Sequence, residues 1–219
     1  MGKKRIPLPN KFIALDVETA NSSPATICQI GLAWFEEGNL VNTWSTYVNP
    51  NCDFRPINIR IHGIRPETVE SSPCFCDIAD DLRQKFSQNV IVHHTHFDRT
   101  AITQALEKHC LPDFECTWID SSTVARRAWQ KYSVRGFGIA DICADLGIDL
   151  GDHHDALSDA IACGKIFQQA MIESDLTFDK WVRRVGLTPE MIQRKKENDL
   201  INQRYEGLKT TIDVDFHNL

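Results

Sequence analysis

Apolar positions along the chain repeat with two different periods, and the switches between them mark out the elements. KFIALDVETAN, from Lys11, is an apolar run that ends on acids and reads as a buried strand. ICQIGLAWFEEGNLVNTWSTYVNP supplies two more strands, with a turn at Glu37-Gly38-Asn39. These three predict an antiparallel meander. IHGIRPETVES then predicts a turn into a helix, with Pro66 at the first helical position and Glu67 in the first turn. From Phe75 to Phe86, the residues Ile78, Ala79, Leu82 and Phe86 fall at helical spacing.

Beyond Phe86 the two periods alternate. VIVHH is a short buried strand, FDRTAITQALEKHC a helix with Ala101, Ile102, Ala105 and Leu106 inward, and CTWIDSS another strand. Helices follow at STVARRAWQ and at GIADICADLGI, the second stopped at Gly147. HHDALSDAIACGKIFQQAMI is a long helix with Ala156, Ala160, Cys163, Gly164 and Phe167 on one stripe. The expected fold class is therefore α/β: a mixed sheet, three antiparallel strands followed by alternating helices and strands, flanked by helices.

Charge divides the chain. Residues 1–10 read as a polar N-terminal extension and 11–172 as the main domain. Residues 173–219 read as a charged, mostly helical C-terminal appendage ending in an extended piece, TTIDVDF. From Asp175 onward there are 8 Lys+Arg and 8 Asp+Glu, so the net charge of −6 resides in residues 1–174. That charge argues against a nonspecific nucleic-acid coat protein but not against an enzyme whose own metal ions meet a phosphate. No apolar run approaches the ~20 residues that span a bilayer, and the start has no apolar h-region, so a cytoplasmic protein is expected. The eight cysteines are scattered and read as reduced, mostly buried thiols, not as a zinc knuckle.

The candidate chemistry begins with an ambiguity at VIVHHTHFDRTA. His94, His96 and Asp98 spell the H-x-H-x-D of metallo-β-lactamase-type zinc hydrolases, but that pattern needs a further histidine after Asp98, where this chain has Arg99. The rival reading keeps Asp98 as one carboxylate of a site built from acids. Asp16 and Glu18, two apart on a strand, project from one face and repel each other unless a cation lies between them. Asp98 lies just beyond the strand VIV, and Asp159 lies in the long helix. Acids converging at one sheet edge could hold two Mg²⁺ ions about 3.5–4 Å apart for attack on a phosphodiester. An oxygen-only site suits Mg²⁺ or Mn²⁺ and not zinc. A base is on offer in His153 and His154; Asp155 and Asp159 share a helical face, whereas His154 joins the site only if it precedes the helix proper.

LDVET, VHHTHFD and HHDALSDA, in this order and with these gaps, resemble the three motifs of the DEDDh (DnaQ-like, proofreading-type) 3′-5′ exonucleases. CQIG, IHGI, IDSSTVARR and LGI add flanking matches, and the resemblance covers about residues 11–172. It implies a ribonuclease H-like fold and two Mg²⁺ or Mn²⁺ ions, with Asp16 bridging both and Glu18 and Asp159 at the metal of the catalytic water. It also implies Asp98 at the second metal and His154, in H-x4-D spacing with Asp159, as general base. Backbone at Thr19 and Ala20 would receive the terminal nucleotide, with His62 and Phe97 near it. The chain departs from the family pattern at His94, where the family usually has Asn, and that puts substrate preference in doubt more than catalysis.

The expected activity is release of nucleoside monophosphates from the 3′ end of nucleic acid, single-stranded DNA above RNA, in proofreading or repair. The alternatives are an exoribonuclease of the same fold and a noncatalytic nucleic-acid-binding or replication subunit. Arg126, Arg127, Lys131 and Arg135, with Trp129 and Tyr132 interleaved, form the candidate basic strip for the strand. Residues 173–219 are the candidate docking piece for a polymerase or another replication partner.

Overall fold

The computed structural model describes residues 10–216, with side chains to residue 202. Strands β1 (Lys11–Thr19), β2 (Ile27–Glu36) and β3 (Asn39–Tyr47) form the antiparallel meander, turning at Glu37 and Gly38, both with positive φ. Helices α1 (Pro56–His62), α2 (Pro66–Val69) and α3 (Phe75–Phe86) lead to β4 (Val90–His93), then α4 (Phe97–Lys108), β5 (Thr117–Asp120), α5 (Ser121–Ala128) and α6 (Ile139–Leu146). The chain closes with α7 (Ala156–Ser174), α8 (Phe178–Val185) and α9 (Pro189–Phe216). The sheet order is β3-β2-β1-β4-β5, with β4 parallel to both β1 and β5. This is the mixed sheet that the alternating periods predict.

Parity along β1 decides what the site can contain. Phe12 and Ala14 share one face and pack in a cluster with Ala160, Cys163 and Phe167 of α7. Asp16 and Glu18 continue that same face, so the helix that covers the sheet also arrives over the two acids. Ile13, Leu15 and Val17 point the other way and are buried as well, so both faces are covered. Gly164 lets α7 approach closely, since a Cβ there would stand 2.1 Å from the ring of Phe35. Phe35 in turn stacks on Phe12 at 5.0 Å between centroids.

Four features differ from the sequence reading. Helix α1 is unheralded because none of its residues is buried and apolar periodicity carries no signal; its ends are set by Pro56 and by Gly63, left-handed at φ 74°. TTIDVDF continues α9 instead of extending, since β-branched residues favour a strand only beside a neighbour, and none of the five strands includes this stretch. Phe178 and Trp181 of α8 enter the main core, so the first of two compact units runs to Gly186 and the second begins at Leu187. Cys74 and Cys76, with Cα atoms 5.4 Å apart, are bridged by a disulfide, and Cys52 and Cys110 are exposed thiols. Of the predicted extension, only residue 10 lies among the described residues. No helix among the described residues is long and apolar enough to cross a membrane.

Candidate active site

The four acids come from three elements and meet at one end of β1. Asp16 and Glu18 lie opposite Gly31 and Gln29 of β2. Asp98, in the first turn of α4 and 2% exposed, accepts the N–H of Val17 at 3.2 Å, which fastens that helix to the strand between the two acids. Asp159 occupies the first turn of α7. Carboxylate oxygens of Asp16, Glu18 and Asp159 lie within 4.8 Å of one another.

Electrostatics expose the cost of this arrangement. Burial, and then the charges of Asp98, Glu18 and Asp159, push Asp16 well above the usual carboxylate range. Glu18 is pushed up to about 8 by burial, followed by Asp159 and Asp98. Asp98 also rises to about 8 through burial, although backbone N–H groups of Val17, Asp98 and His94 favour its charged form. Glu18 and Asp98 thus hold protons near neutral pH, and a cation would relieve the repulsion among all these acids. The donors are all anionic oxygens, which fits a hard divalent ion.

The two candidate bases differ in how they meet Asp159. Helix α7 begins at Ala156 with Asp155 as its N-cap, so His154 does precede the helix. His154 has φ 69° and gives its backbone N–H to Asp159 at 3.1 Å. The ring that touches Asp159 is that of His153, whose Nδ1 lies 3.1 Å from both carboxylate oxygens. The two imidazoles stack at 3.8 Å. Burial and then His153 lower the pKa of His154, so its ring is neutral at pH 7 and free to accept a proton.

Other residues singled out from the sequence are distributed unevenly. The Thr19 carbonyl accepts from Asn58 at 2.9 Å and meets His62 Nε2 at 3.1 Å, so His62 buttresses the backbone beyond β1. Ala20 engages both backbone groups internally, with the Thr26 carbonyl and the Arg55 N–H. Phe97, next to Asp98 in the chain, is 40% exposed. His94 and His96 do not combine with Asp98: among the described residues that trio is not a metal-sized cluster. His94 is buried with both ring nitrogens bonded, to Ser121 and Phe137, while His96 is exposed. In the basic strip, Tyr132 is buried and bonds Asp145, Lys131 pairs with Asp145, and Trp129 packs inward.

Comparison with known proteins gives this constellation a setting. The sequence profile of the exonuclease family of RNase T type matches residues 13–167, which contain all four acids and His154. The chain belongs to this exonuclease family. Among relatives, the 3′-5′ exonuclease DinG of Bacillus subtilis is 27% identical over 165 residues, 74% of this chain and 18% of that protein. A PolC-type DNA polymerase III of Thermotoga maritima is 24% identical over 201 residues, 90% of this chain and 14% of that one. The chain thus spans less than a fifth of the length of these relatives. Exonuclease X, solved in complex with 5′ overhanging duplex DNA, shares the fold at a TM-score of 0.64 and 23% identity, over 78% of this chain and 96% of its own. E. coli exonuclease I with a dT13 oligonucleotide superposes at 0.65 with 16% identity, over 75% of this chain and 42% of its own. Membership in the exonuclease family implies divalent metal ions.

The exonuclease fold also relies on residues whose roles the motifs do not announce. Gln29, 5% exposed, donates to Asp155 at 2.7 Å and accepts the N–H of Ala156 at 3.2 Å, clamping the start of α7 to β2. A Cβ on Gly31 would stand 2.3 Å from the Ala156 carbonyl, so only glycine lets the turn carrying Asp159 come so close to β2. Both lie in CQIG, a stretch whose resemblance is legible while its function is not. Asp120, an acid at the end of β5, is not part of the cluster. It caps α5, accepting from Ser122 and Thr123, and takes the N–H of Thr95.

Proposed function

We propose that this exonuclease shortens nucleic acid from the 3′ end, releasing nucleoside 5′-monophosphates, with single-stranded DNA as substrate in proofreading or repair. The convergence of Asp16, Glu18, Asp98 and Asp159, with burial raising the first three carboxyls above their ordinary range, carries the reading. Those acids would hold two Mg²⁺ or Mn²⁺ ions, which supply Lewis-acid activation of water and charge stabilisation at the leaving 3′ oxygen. His154 takes the proton from the attacking water. A P–O bond to water forms, the bond to the 3′ oxygen of the penultimate nucleotide breaks, and that oxygen leaves with the bonding pair and takes a proton from solvent water to become the new 3′ hydroxyl. Phe97 offers a ring to the terminal base, and His62 holds the Thr19 backbone beneath it.

The kinship to PolC-type polymerases supports a second element: a polymerase or replication partner docking on residues 173–219, outside the catalytic motifs.

Digestion of matched 5′-labelled single-stranded DNA and RNA with Mg²⁺, Mn²⁺ or EDTA tests the reading. A metal-dependent ladder shortening from the 3′ end is expected, faster on DNA. No shortening of either strand under any metal would refute it, and a faster RNA ladder would reassign the substrate.

A further inference from the structure

His94 stands where the family resemblance places asparagine, and its surroundings give it a task that asparagine cannot perform. The ring is 8% exposed at the end of β4. Its Nε2 lies 2.8 Å from the carbonyl of Phe137 and its Nδ1 2.8 Å from Ser121 Oγ. A carbonyl only accepts, so Nε2 carries the hydrogen. Burial favours the neutral ring, which leaves Nδ1 to accept from the Ser121 hydroxyl. One imidazole therefore joins β4 and α5 to a loop 43 residues further on.

In that loop, residues 133–138, Phe137 packs against the cluster of Tyr132 and Ile142, while its neighbours face solvent. Val134 is 84% exposed, Arg135 is exposed, and Gly136 has φ 70°. The ring of Phe137 carries the Arg126 guanidinium 5.0 Å from its centroid. Neither Arg126 nor Arg135 has a carboxylate partner among the described residues, in contrast to Lys131. His94 is also the residue whose backbone N–H reaches Asp98, so the loop is anchored one residue from the acid cluster. A cation over an aromatic ring and a second, exposed cation two residues before that ring in the chain, on a loop tied to the border of an anionic site, match the alternating phosphates and bases of a nucleic-acid strand.

We propose that His94 is a positioning residue: it ties the 133–138 loop to the end of β4, so that Arg126, Phe137 and Arg135 form a rim for the strand upstream of the scissile bond. The inference rests on the exonuclease reading above. An asparagine amide reaches only the Nδ1 position and keeps the bond to Ser121. A glutamine amide reaches the Nε2 position and keeps the bond to Phe137.

The test compares H94N, H94Q and wild type on two substrates: a single-stranded DNA decamer, and the p-nitrophenyl ester of thymidine 5′-monophosphate, which is too short to reach the rim. In H94N the ratio of KM for the decamer to KM for the ester is expected to rise about five- to tenfold, the worth of one lost hydrogen bond. H94Q should restore the ratio to within about twofold. An unchanged ratio in H94N, or an equal rise in H94N and H94Q, overturns the tether. Should H94N not fold, Arg135→Ala decides: the same rise is expected, and an unchanged ratio overturns the rim. Wild type that hydrolyses neither substrate would instead overturn the exonuclease reading itself, a result distinguishable from any change in ratio.

Discussion

Gln29 and Asp155 meet across 126 residues of sequence, the amide of one donating to the carboxylate of the other at 2.7 Å. The same amide accepts the N–H of Ala156, so a strand neighbour of Glu18 holds the first turn of the helix that delivers Asp159. Gln29→Ala leaves a half-buried carboxylate oxygen and a buried N–H without these partners, a loss of about 1–3 kcal/mol. The rate should fall further than stability does, by up to about 100-fold, because a small shift of Asp159 spoils the ligand geometry. Urea denaturation beside kcat on a labelled oligonucleotide reads both. Equal values for variant and wild type would remove Gln29 from the positioning of the site.

The acid cluster predicts an unusual pH profile without metal. Glu18 titrates at about 8 in the folded protein against 4.5 in its reference state. Between those values the folded state keeps a proton that the unfolded chain has released, so stability falls as pH rises, by up to about 1.4 kcal/mol per pH unit for each such group. Asp98 works in the same direction up to about 8. His93, pushed down to about 4 by burial, opposes them below its ordinary 6.5, which leaves pH 6.5–8 as the clean window. In EDTA the melting midpoint should drop across that window, less steeply in Glu18→Gln, and Mn²⁺ at pH 8 should restore it. Asp16→Ala should melt higher than wild type in EDTA and hydrolyse nothing. A midpoint that climbs from pH 6.5 to 8 would contradict the raised carboxylates.

The stacked pair His153 and His154 can be separated by rate. With His154 as base, His154→Ala should lose about 10²–10⁴ in kcat at saturating Mn²⁺. His153→Ala, which frees Asp159 from a ring contact, should lose far less and shift the Mn²⁺ concentration needed for half-maximal rate. Steady-state assays across a metal titration give both quantities. A larger loss in His153→Ala would transfer the proton to the other ring.

What could be read from the sequence divides along physical lines. Alternation along β1 and the helical stripe of α7 are local, so the strands, the covering helix and the shared face of Asp16 and Glu18 follow from spacing alone. Asp98 and Asp159 follow from their places at element ends. His154 was ambiguous only because a helix boundary cannot be fixed to one residue, and Asp155 settles it as the cap. Gln29 and Gly31 were opaque because their meaning lies in contacts with residues 155 and 156, far along the chain. Helix α8 is misleading for another reason: LTFDKWVRR carries four charged residues, yet Phe178 and Trp181, three apart, form a narrow apolar face that finds the core.

That narrow face sets where the protein can be divided. Trp181 is 1% exposed, gives its indole N–H to Ser174 at 3.2 Å, and shares a cluster with Phe12 and Phe167 behind the acids. A chain ending at residue 172 would strip two aromatic rings from that cluster. Its inactivity would then report a damaged scaffold and say nothing about partners. A cut after Gly186 keeps the scaffold whole, so a question about what the remaining charged segment binds is answerable only from that side of the boundary.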